Sequence, residues 1–138
     1  MAAYDAQNIF ARILRGDLPC HKIHEDEHTL AFMDIMPRCE GHCLVIPKAP
    51  VRNLLDADDA TLARLHAAVA RVARAAMRAF DAQGITIQQF NEQAGGQVVF
   101  HMHVHVLPRH EGVPLKPHSG EMAKPEILAA HAARLREQ

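Results

Sequence analysis

Three histidines alternate with apolar residues in the stretch H-M-H-V-H-V-L, residues 101–107. Strict alternation predicts an extended strand, because successive side chains of a strand point to opposite faces of a sheet. His101, His103 and His105 would then share one face, and the apolar residues between them would face the core. The row of imidazoles is therefore the candidate functional site.

Three interpretations of this row follow from the residues. A purely structural one is weak, because packing gives no reason to fill a strand face with imidazoles, and each buried ring without a partner costs about 1–3 kcal/mol. A zinc ion can bind histidines at i and i+2, but i and i+4 lie ~13 Å apart along a strand. A histidine pair with a distant further ligand therefore stays open.

The third interpretation is catalysis without a metal. Imidazole is a good nucleophile toward phosphorus and titrates near neutral pH. A central histidine can attack while its neighbours set its tautomer, contact the phosphate and carry protons. The loop Gly95-Gly96-Gln97 just before the row fits this chemistry, because glycines let the main chain approach an anion closely.

The composition narrows the class of protein. A chain of 138 residues, 49% of them hydrophobic, favours one domain. A net charge of -1 predicts no nucleic-acid partner, and no apolar run approaches the ~18 residues that span a membrane. Three cysteines without a C-x-x-C pair, and no secretory segment at the start, predict reduced thiols and a cytoplasmic location.

The hydrophobic periodicity predicts two groups of strands on either side of one long helix. The predicted strands cover residues 20–25, 30–35, 41–46, 85–90 and 101–107. The long helix is predicted to begin at an Asp56 cap, to run for about 24 residues, and to end at a left-handed Gly84. Shorter helices are predicted over residues 8–14 and 126–136. This order favours an α+β fold with an antiparallel sheet.

The run from Gly96 to Arg109 resembles the signature of the histidine triad (HIT) family of nucleotide hydrolases and transferases, H-φ-H-φ-H-φ-φ with φ apolar, at all seven positions. Residues 41–48, G-H-C-L-V-I-P-K, are similar to the family's G-H-x-L-V-I-P-K strand, and Asn91-Glu92 resembles the start of its N-E-G loop. The resemblance extends from about residue 8 to 110, and within the family the chain most resembles the bacterial type of HIT protein.

This resemblance implies a HIT-like fold, in which an antiparallel sheet packs against one long helix plus a short N-terminal helix. The HIT domain would occupy residues 1–110, and residues 111–138 would form a C-terminal extension, proline-rich at first and then a short helix. The resemblance also implies a homodimer whose two sheets are joined.

The resemblance assigns a role to each histidine that matches the family pattern. His103 would attack the α-phosphorus of a nucleotide and form a nucleotidyl-histidine intermediate. His105 would contact the phosphate oxygens. His42 and His101 would orient His103 and help to move protons.

The remaining roles concern the phosphate and the nucleoside. Gln97, Asn91 and Gly96 would hold the phosphate and the leaving-group side, and Asp34 would accept hydrogen bonds from the ribose hydroxyls. An apolar slot for the base would be formed by Ile9, Phe10, Ile13, Phe32 and Ile35. From the residues alone, the two phenylalanines and Ile13 fit equally well in a core, and Asp34 fits a turn.

The sequence departs from the family pattern in three places. Many members hold zinc through a C-x-x-C in the N-terminal helix, whereas Asn8 and Ala11 occupy those positions here, so we expect no metal there. Val98 replaces a Ser or Thr whose hydroxyl could assist the leaving group, and this bears on phosphoramidate hydrolysis. Gln93 replaces the glycine of the N-E-G loop.

These observations predict a hydrolase that cleaves a purine nucleotide at the α-phosphorus, such as a nucleoside phosphoramidate, with neither a metal nor a cofactor at its centre. The expected partners are the nucleotide and a second copy of the chain. Two alternatives stay open: a dinucleoside polyphosphate hydrolase, which the V-L-P-R ending at Arg109 favours, and a nucleotide-binding regulatory module without turnover.

Overall fold

The computed structural model describes residues 2–118 and 120–138. The helices and strands in these ranges are α1 (Ile9–Leu14), β1 (Lys22–Glu25), β2 (Thr29–Met33), β3 (Cys43–Pro47), α2 (Asp59–Ala79), β4 (Gly84–Gln88), β5 (Val104–Arg109) and α3 (Pro125–Arg136). Short 3-10 turns lie at Leu54–Asp56 and Gln93–Gly95. No helix within the described ranges is both long enough and apolar enough to cross a bilayer.

The strands form one sheet in the order β1-β2-β3-β5-β4, and every neighbouring pair is antiparallel. The sheet packs against the long helix α2, and the short helix α1 precedes it in the chain. The predicted α+β architecture is therefore confirmed.

The two faces of the sheet have different coverings. Alternate residues of β2, β3 and β5 pack with α2 and α3 in the main core, which includes Met33, Val45 and Val104. In β2 and β3 the residues between them join Phe10 of α1 in a second, smaller cluster on the opposite face. Leu44 of this second cluster is the register partner of His105, so the histidine side chain lies on the α1 face.

The long helix differs at both ends from the sequence prediction. Asp58 is its N-cap, accepting from the Thr61 N–H, because Asp56 instead closes a capping box with Asn53 around the 3-10 turn. The helix ends at Ala79 after 21 residues, and the left-handed residue that follows is Asp81, with φ of 48°. The predicted Gly84 cap is wrong, since that residue begins β4.

The histidine strand is shorter at its start than the alternation predicts. β5 begins at Val104, so residues 101–103 lie outside the ladder, and β5 continues through Arg109. The Met102 N–H donates to the Val51 carbonyl at 2.9 Å, and the carbonyl of His101 accepts from the His103 ring. Those local partners take the place of ladder hydrogen bonds. The apolar face is as predicted, because the residues between the histidines lie in the main core.

The C-terminal segment is part of the same packed unit. Leu128, Ala132 and Leu135 of α3 are buried in the main core against α2 and β1. Before α3, the Lys116 N–H donates to the Arg38 carbonyl at 2.8 Å, which ties the segment to the loop between β2 and β3. Helix α3 and the stretch at Lys116 therefore cover sheet and loop surface that the first 110 residues would otherwise expose.

Candidate active site

The His103 ring is held in one tautomer by the main chain. Its Nδ1 lies 2.7 Å from the carbonyl oxygen of His101, and because a carbonyl only accepts, Nδ1 must carry the proton. Nε2 therefore presents a lone pair. Phe10 packs edge-on against this ring, with 4.8 Å between the centroids, and fixes its plane. A neutral imidazole held in this way is chemically able to act as a nucleophile.

A second pair of imidazoles is ordered in the same way. The main-chain N–H of Arg38 donates to His42 Nδ1 at 3.0 Å, so the His42 proton lies on Nε2. His42 Nε2 then donates to His105 Nδ1 at 2.9 Å. His105 in turn carries its proton on Nε2, where it can donate to an anion.

The two outward nitrogens, His103 Nε2 and His105 Nε2, have no hydrogen-bond partner among the described residues. Both are accessible to solvent, because Thr29 Oγ1 is the only buried side-chain nitrogen or oxygen atom in the described ranges that lacks a hydrogen-bond partner. The two rings lie 5.2 Å apart between centroids. One lone pair and one N–H therefore stand side by side and accessible.

His101 occupies a different environment from the other two members of the row. It is fully buried, and its Nε2 donates to the Pro47 carbonyl at 2.8 Å. Its Nδ1 accepts from the Tyr4 hydroxyl at 2.6 Å. Both ring nitrogens are used, so His101 acts on the site through its carbonyl bond to His103 rather than by direct contact with a ligand.

Burial keeps these imidazoles neutral. It is the main cause that lowers the pKa of His42 to about 4 and of His101 to about 4, and the positive Arg38 adds to the effect at His42. Burial and the neighbouring His103 lower the pKa of His105 to about 3. Burial also lowers the pKa of His103, which leaves its Nε2 lone pair available at neutral pH.

A carboxylate completes the cluster. Asp34 Oδ2 lies 3.5 Å from His42 Nε2 and 4.0 Å from His105 Nδ1, and burial raises the pKa of this carboxyl group. The three groups could in principle surround a metal ion. However, the Arg38 N–H places the His42 proton on Nε2, the atom that would have to bind the metal. The donor set therefore fits a proton-carrying chain better than a cation.

The loop before the histidines is held by an internal network. Gln97 is buried, its amide oxygen accepts from the Glu92 N–H and Asn53 Nδ2, and its amide nitrogen donates to the Arg52 and Val99 carbonyls. The N–H groups of residues 95–97 also donate to carbonyls inside the loop. In this conformation neither the Gln97 amide nor those N–H groups are free for an anion, contrary to the expectation from the glycine pair.

The other two predicted phosphate residues also support the loop. Asn91 Oδ1 accepts from the Leu54 N–H at 2.9 Å, and its amide pairs with Gln89. Gly96 has φ of 98°, a left-handed conformation that favours glycine, and it closes the turn beside Phe90. Gly96 and Val98 of this loop are exposed, whereas Gln97 between them is buried.

The predicted nucleoside residues separate into two groups. Phe10 and Phe32 are buried against each other at 5.5 Å, and Ile13 packs on their cluster, so these three contribute to the second core. Ile9 and Ile35 are about half exposed and leave apolar surface open to solvent. Asp34 Oδ1 accepts from the Met36 N–H and so forms the turn that the sequence also allowed.

The sequence analysis missed several residues that build the site. Asn53 is fully buried and joins Gln97 to Glu92, whose φ of 65° is left-handed. Arg52 pairs with Glu92 at 2.8 Å. Tyr4 closes the row at His101. Each lies in an irregular segment, where periodicity gives no signal. Only Tyr4 has a feature visible in the sequence, because it is the single tyrosine of the chain.

Two cavities lie beyond the histidines, near the end of β5. One of about 370 Å³ includes Arg38, Arg109 and Lys116 in its lining, and an adjoining one of about 630 Å³ shares Arg109. Arg38 also lowers the pKa of His42 and His105, which places this positive charge within electrostatic reach of the site. The cavities do not contain the imidazoles themselves.

Comparisons with known proteins agree with this geometry. The HIT domain model matches residues 15–112. The chain is similar to the crystal structure of a Hit-like protein involved in cell-cycle regulation from Bartonella henselae, with 48% identity, a TM-score of 0.95, and coverage of 99% of this chain and 98% of that one. It is 39% identical over 125 residues to Protein hit of Bacillus subtilis, covering 87% of this chain and 86% of that protein.

A third relative carries an enzyme name. Adenylylsulfatase HINT3 of Arabidopsis thaliana is 34% identical over 103 residues, which cover 75% of this chain and 52% of that longer protein. The chain therefore belongs to the HIT family, whose members are generally nucleotide hydrolases and transferases.

Proposed function

We propose that this protein hydrolyses a purine nucleotide at its α-phosphorus, with His103 as the nucleophile. The observation that carries the proposal is the tautomer of His103, whose Nδ1–H is held by the His101 carbonyl while Nε2 stays open. The substrate class is a nucleoside monophosphate joined to a leaving group, such as a nucleoside phosphoramidate. The name of the Arabidopsis relative adds an adenylyl sulfate to the compounds worth assaying.

The first step forms a bond between His103 Nε2 and the α-phosphorus while the bond to the leaving group breaks. The leaving group departs with the bonding electron pair and takes a proton from water. The ring now carries a positive charge, which the hydrogen bond from Nδ1 to the His101 carbonyl stabilises. No charge has to be desolvated beforehand, because the free ring is neutral.

In the second step a water molecule attacks the phosphorus and loses a proton to solvent, while the bond between phosphorus and His103 Nε2 breaks and its electron pair returns to Nε2. The products are the nucleoside monophosphate and neutral His103. The His105 Nε2–H lies beside the nucleophile and donates to a phosphate oxygen as negative charge develops. Because Val98 carries no hydroxyl, the proton for the leaving group does not come from that position.

The phosphate and nucleoside contacts follow from the same arrangement. We assign the phosphate contact to the His105 Nε2–H, because the N–H groups of Gly96 and Gln97 donate inside the loop, which Gln97 and Asn91 hold in place. The purine would lie on the apolar surface that Ile9 and Ile35 leave exposed beside the phenylalanine cluster. The ribose hydroxyls would be bound by Asp34, whose second oxygen faces the imidazoles.

A dinucleoside polyphosphate is the second candidate substrate. The smaller cavity is lined by Arg38, Arg109 and Lys116 together with Glu40, and among the described residues none of the three cations has an acidic partner within 4 Å. Arg38 is within electrostatic reach of His42 and His105, and positive charge there favours an anionic leaving group over a neutral amine. The choice between the two leaving groups is decided by relative kcat/KM.

Two further proposals concern the setting of the enzyme. We propose a homodimer with joined sheets, which the edge position of β4 and its exposed Ile87 support, and sedimentation equilibrium measures it directly.

We propose a cytoplasmic location, because all three cysteines are free thiols in the structure.

The test compares wild type with His103→Ala on adenosine 5'-phosphoramidate, adenylyl sulfate and diadenosine polyphosphate. Loss of the nucleophile should lower kcat by ~10³-fold or more for each substrate that wild type turns over. Nucleotide binding, measured by calorimetry, should persist in the variant. A wild type no faster than His103→Ala, with binding intact in both, would show a regulatory module instead of an enzyme.

A further inference from the structure

The N-terminal arm, residues 2–8, reaches the catalytic row through one side chain. The Tyr4 hydroxyl lies 2.6 Å from His101 Nδ1, although 97 positions separate the two residues in the chain. Their rings also meet edge to face, with 5.7 Å between the centroids. Tyr4 is half-buried, whereas residues 2, 3 and 5–7 around it are exposed. The arm is therefore anchored at the row by this one ring.

The direction of the hydrogen bond is fixed by the rest of the His101 environment. His101 Nε2 donates to the Pro47 carbonyl, so Nδ1 of the neutral ring is an acceptor and the Tyr4 hydroxyl is the donor. His101 is fully buried, so loss of the Tyr4 hydroxyl removes the donor that Nδ1 has within the protein. A buried acceptor without a partner would favour a rotated or displaced ring.

We propose that Tyr4 is a positioning residue for the proposed hydrolysis, holding His101 and, through the His101 carbonyl, the His103 ring in its reactive tautomer. The effect of Tyr4 on catalysis rests on the proposed function, whereas the contact between Tyr4 and His101 is independent of it.

The connection from Tyr4 to the nucleophile has only two links. The first is the hydrogen bond that the Tyr4 hydroxyl donates to the His101 ring. The second is the hydrogen bond that His103 Nδ1 donates to the His101 carbonyl at 2.7 Å. A shift of His101 moves the carbonyl that holds the His103 proton. His103 can then place its proton on Nε2, and the lone pair needed for attack is lost.

A second contact from the same part of the chain acts on the same ring. The arm leads directly into α1, where Phe10 packs against His103. Tyr4 and Phe10 therefore contact neighbouring members of the histidine row from one continuous segment. Anchoring the arm at His101 also limits the movement of α1 over the His103 ring.

The test is Tyr4→Phe, which keeps the ring and removes the hydroxyl. Asp5→Asn is the matched control, because the side chain of this exposed neighbour accepts from the main-chain N–H of Gln7 and lies outside the contact with His101. The prediction is a kcat ~10-fold lower on the best nucleotide substrate with KM within ~2-fold of wild type, since the change affects reaction rather than binding. Asp5→Asn should keep the wild-type kcat.

Nitrogen-15 NMR of the histidine rings supplies a readout that a merely structural contact would not move. In wild type the two His103 nitrogens should be well separated, one protonated and one bare, and in Tyr4→Phe they should move toward a common average. Unchanged His103 resonances together with unchanged kcat would overturn the proposal, even if the melting temperature falls. If wild type hydrolyses no nucleotide, the proposed function fails separately, and the NMR result alone decides the role of Tyr4.

Discussion

Acid should unfold this protein through the histidines that it buries as neutral rings. The pKa of His101 is lowered by burial from 6.5 to about 4. Between these two values the unfolded chain holds a proton on this residue that the folded chain does not, so lowering the pH favours unfolding. The unfolding free energy is therefore not reduced by His101 above about pH 6.5, and it falls as the pH is lowered from 6.5 toward 4.

The size of the effect follows from the two pKa values. Between about pH 7.5 and about pH 5, the difference in proton binding at His101 removes about 2 kcal/mol of unfolding free energy. His42 has the same lowered pKa of about 4 and contributes a similar amount. Together, about 4 kcal/mol is a large part of the 5–15 kcal/mol that stabilises a typical domain. Asp34 opposes this trend, because its pKa is raised.

The measurement is urea unfolding followed by far-UV circular dichroism, since the chain has one tyrosine and no tryptophan for fluorescence. His101→Gln should unfold more easily at every pH, but its free energy should fall about 2 kcal/mol less than that of wild type over this interval. His66→Gln is the control, because His66 lies on the exposed face of α2 and should keep the wild-type pH dependence. Equal pH dependence in wild type and His101→Gln would refute the reasoning.

Two further substitutions test the supports of the site. Gly41→Ala should lower the unfolding free energy by about 2 kcal/mol or more, because φ is 82° and the new Cβ would lie 2.5 Å from the Phe80 ring. Gly84→Ala is the control and should be tolerated, because its new Cβ meets no atom within 4 Å. Similar urea midpoints for the two variants would contradict this prediction. Asn53→Ala removes the buried link to Gln97 and should cost about 2 kcal/mol and raise KM for nucleotide, and an unchanged KM would show that the loop holds its shape without it.

The fold could be predicted from the sequence because its signals are periodic. Alternation in β5 and the apolar stripe of α2 depend on which residues face the core, and each is repeated along the element. The ends of elements depend on single hydrogen bonds instead. Asp56 and Asp58 are both good caps, and only the buried Asn53 at the start of the turn decides that Asp56 closes the 3-10 turn.

The candidate site was predictable in its members more than in their connections. The resemblance brought His42 together with the row from a distant strand, and the structure places it 2.9 Å from His105. Gln97 was expected to face a ligand, but its amide has four partners within the protein. A glutamine beside a glycine pair indicates a loop near the site, and the sequence does not distinguish a ligand contact from a brace for that loop.

The main difference concerns the equivalence of the three histidines. An ideal strand would present them identically, but the ladder begins only at Val104, so the rings of His101 and His103 meet main-chain carbonyls while that of His105 meets His42. A carbonyl fixes the proton of His103 on Nδ1, and the Arg38 N–H, acting through His42, fixes that of His105 on Nε2. The irregular backbone thus converts three similar imidazoles into one lone pair, one donor and one support, which a regular strand could not do.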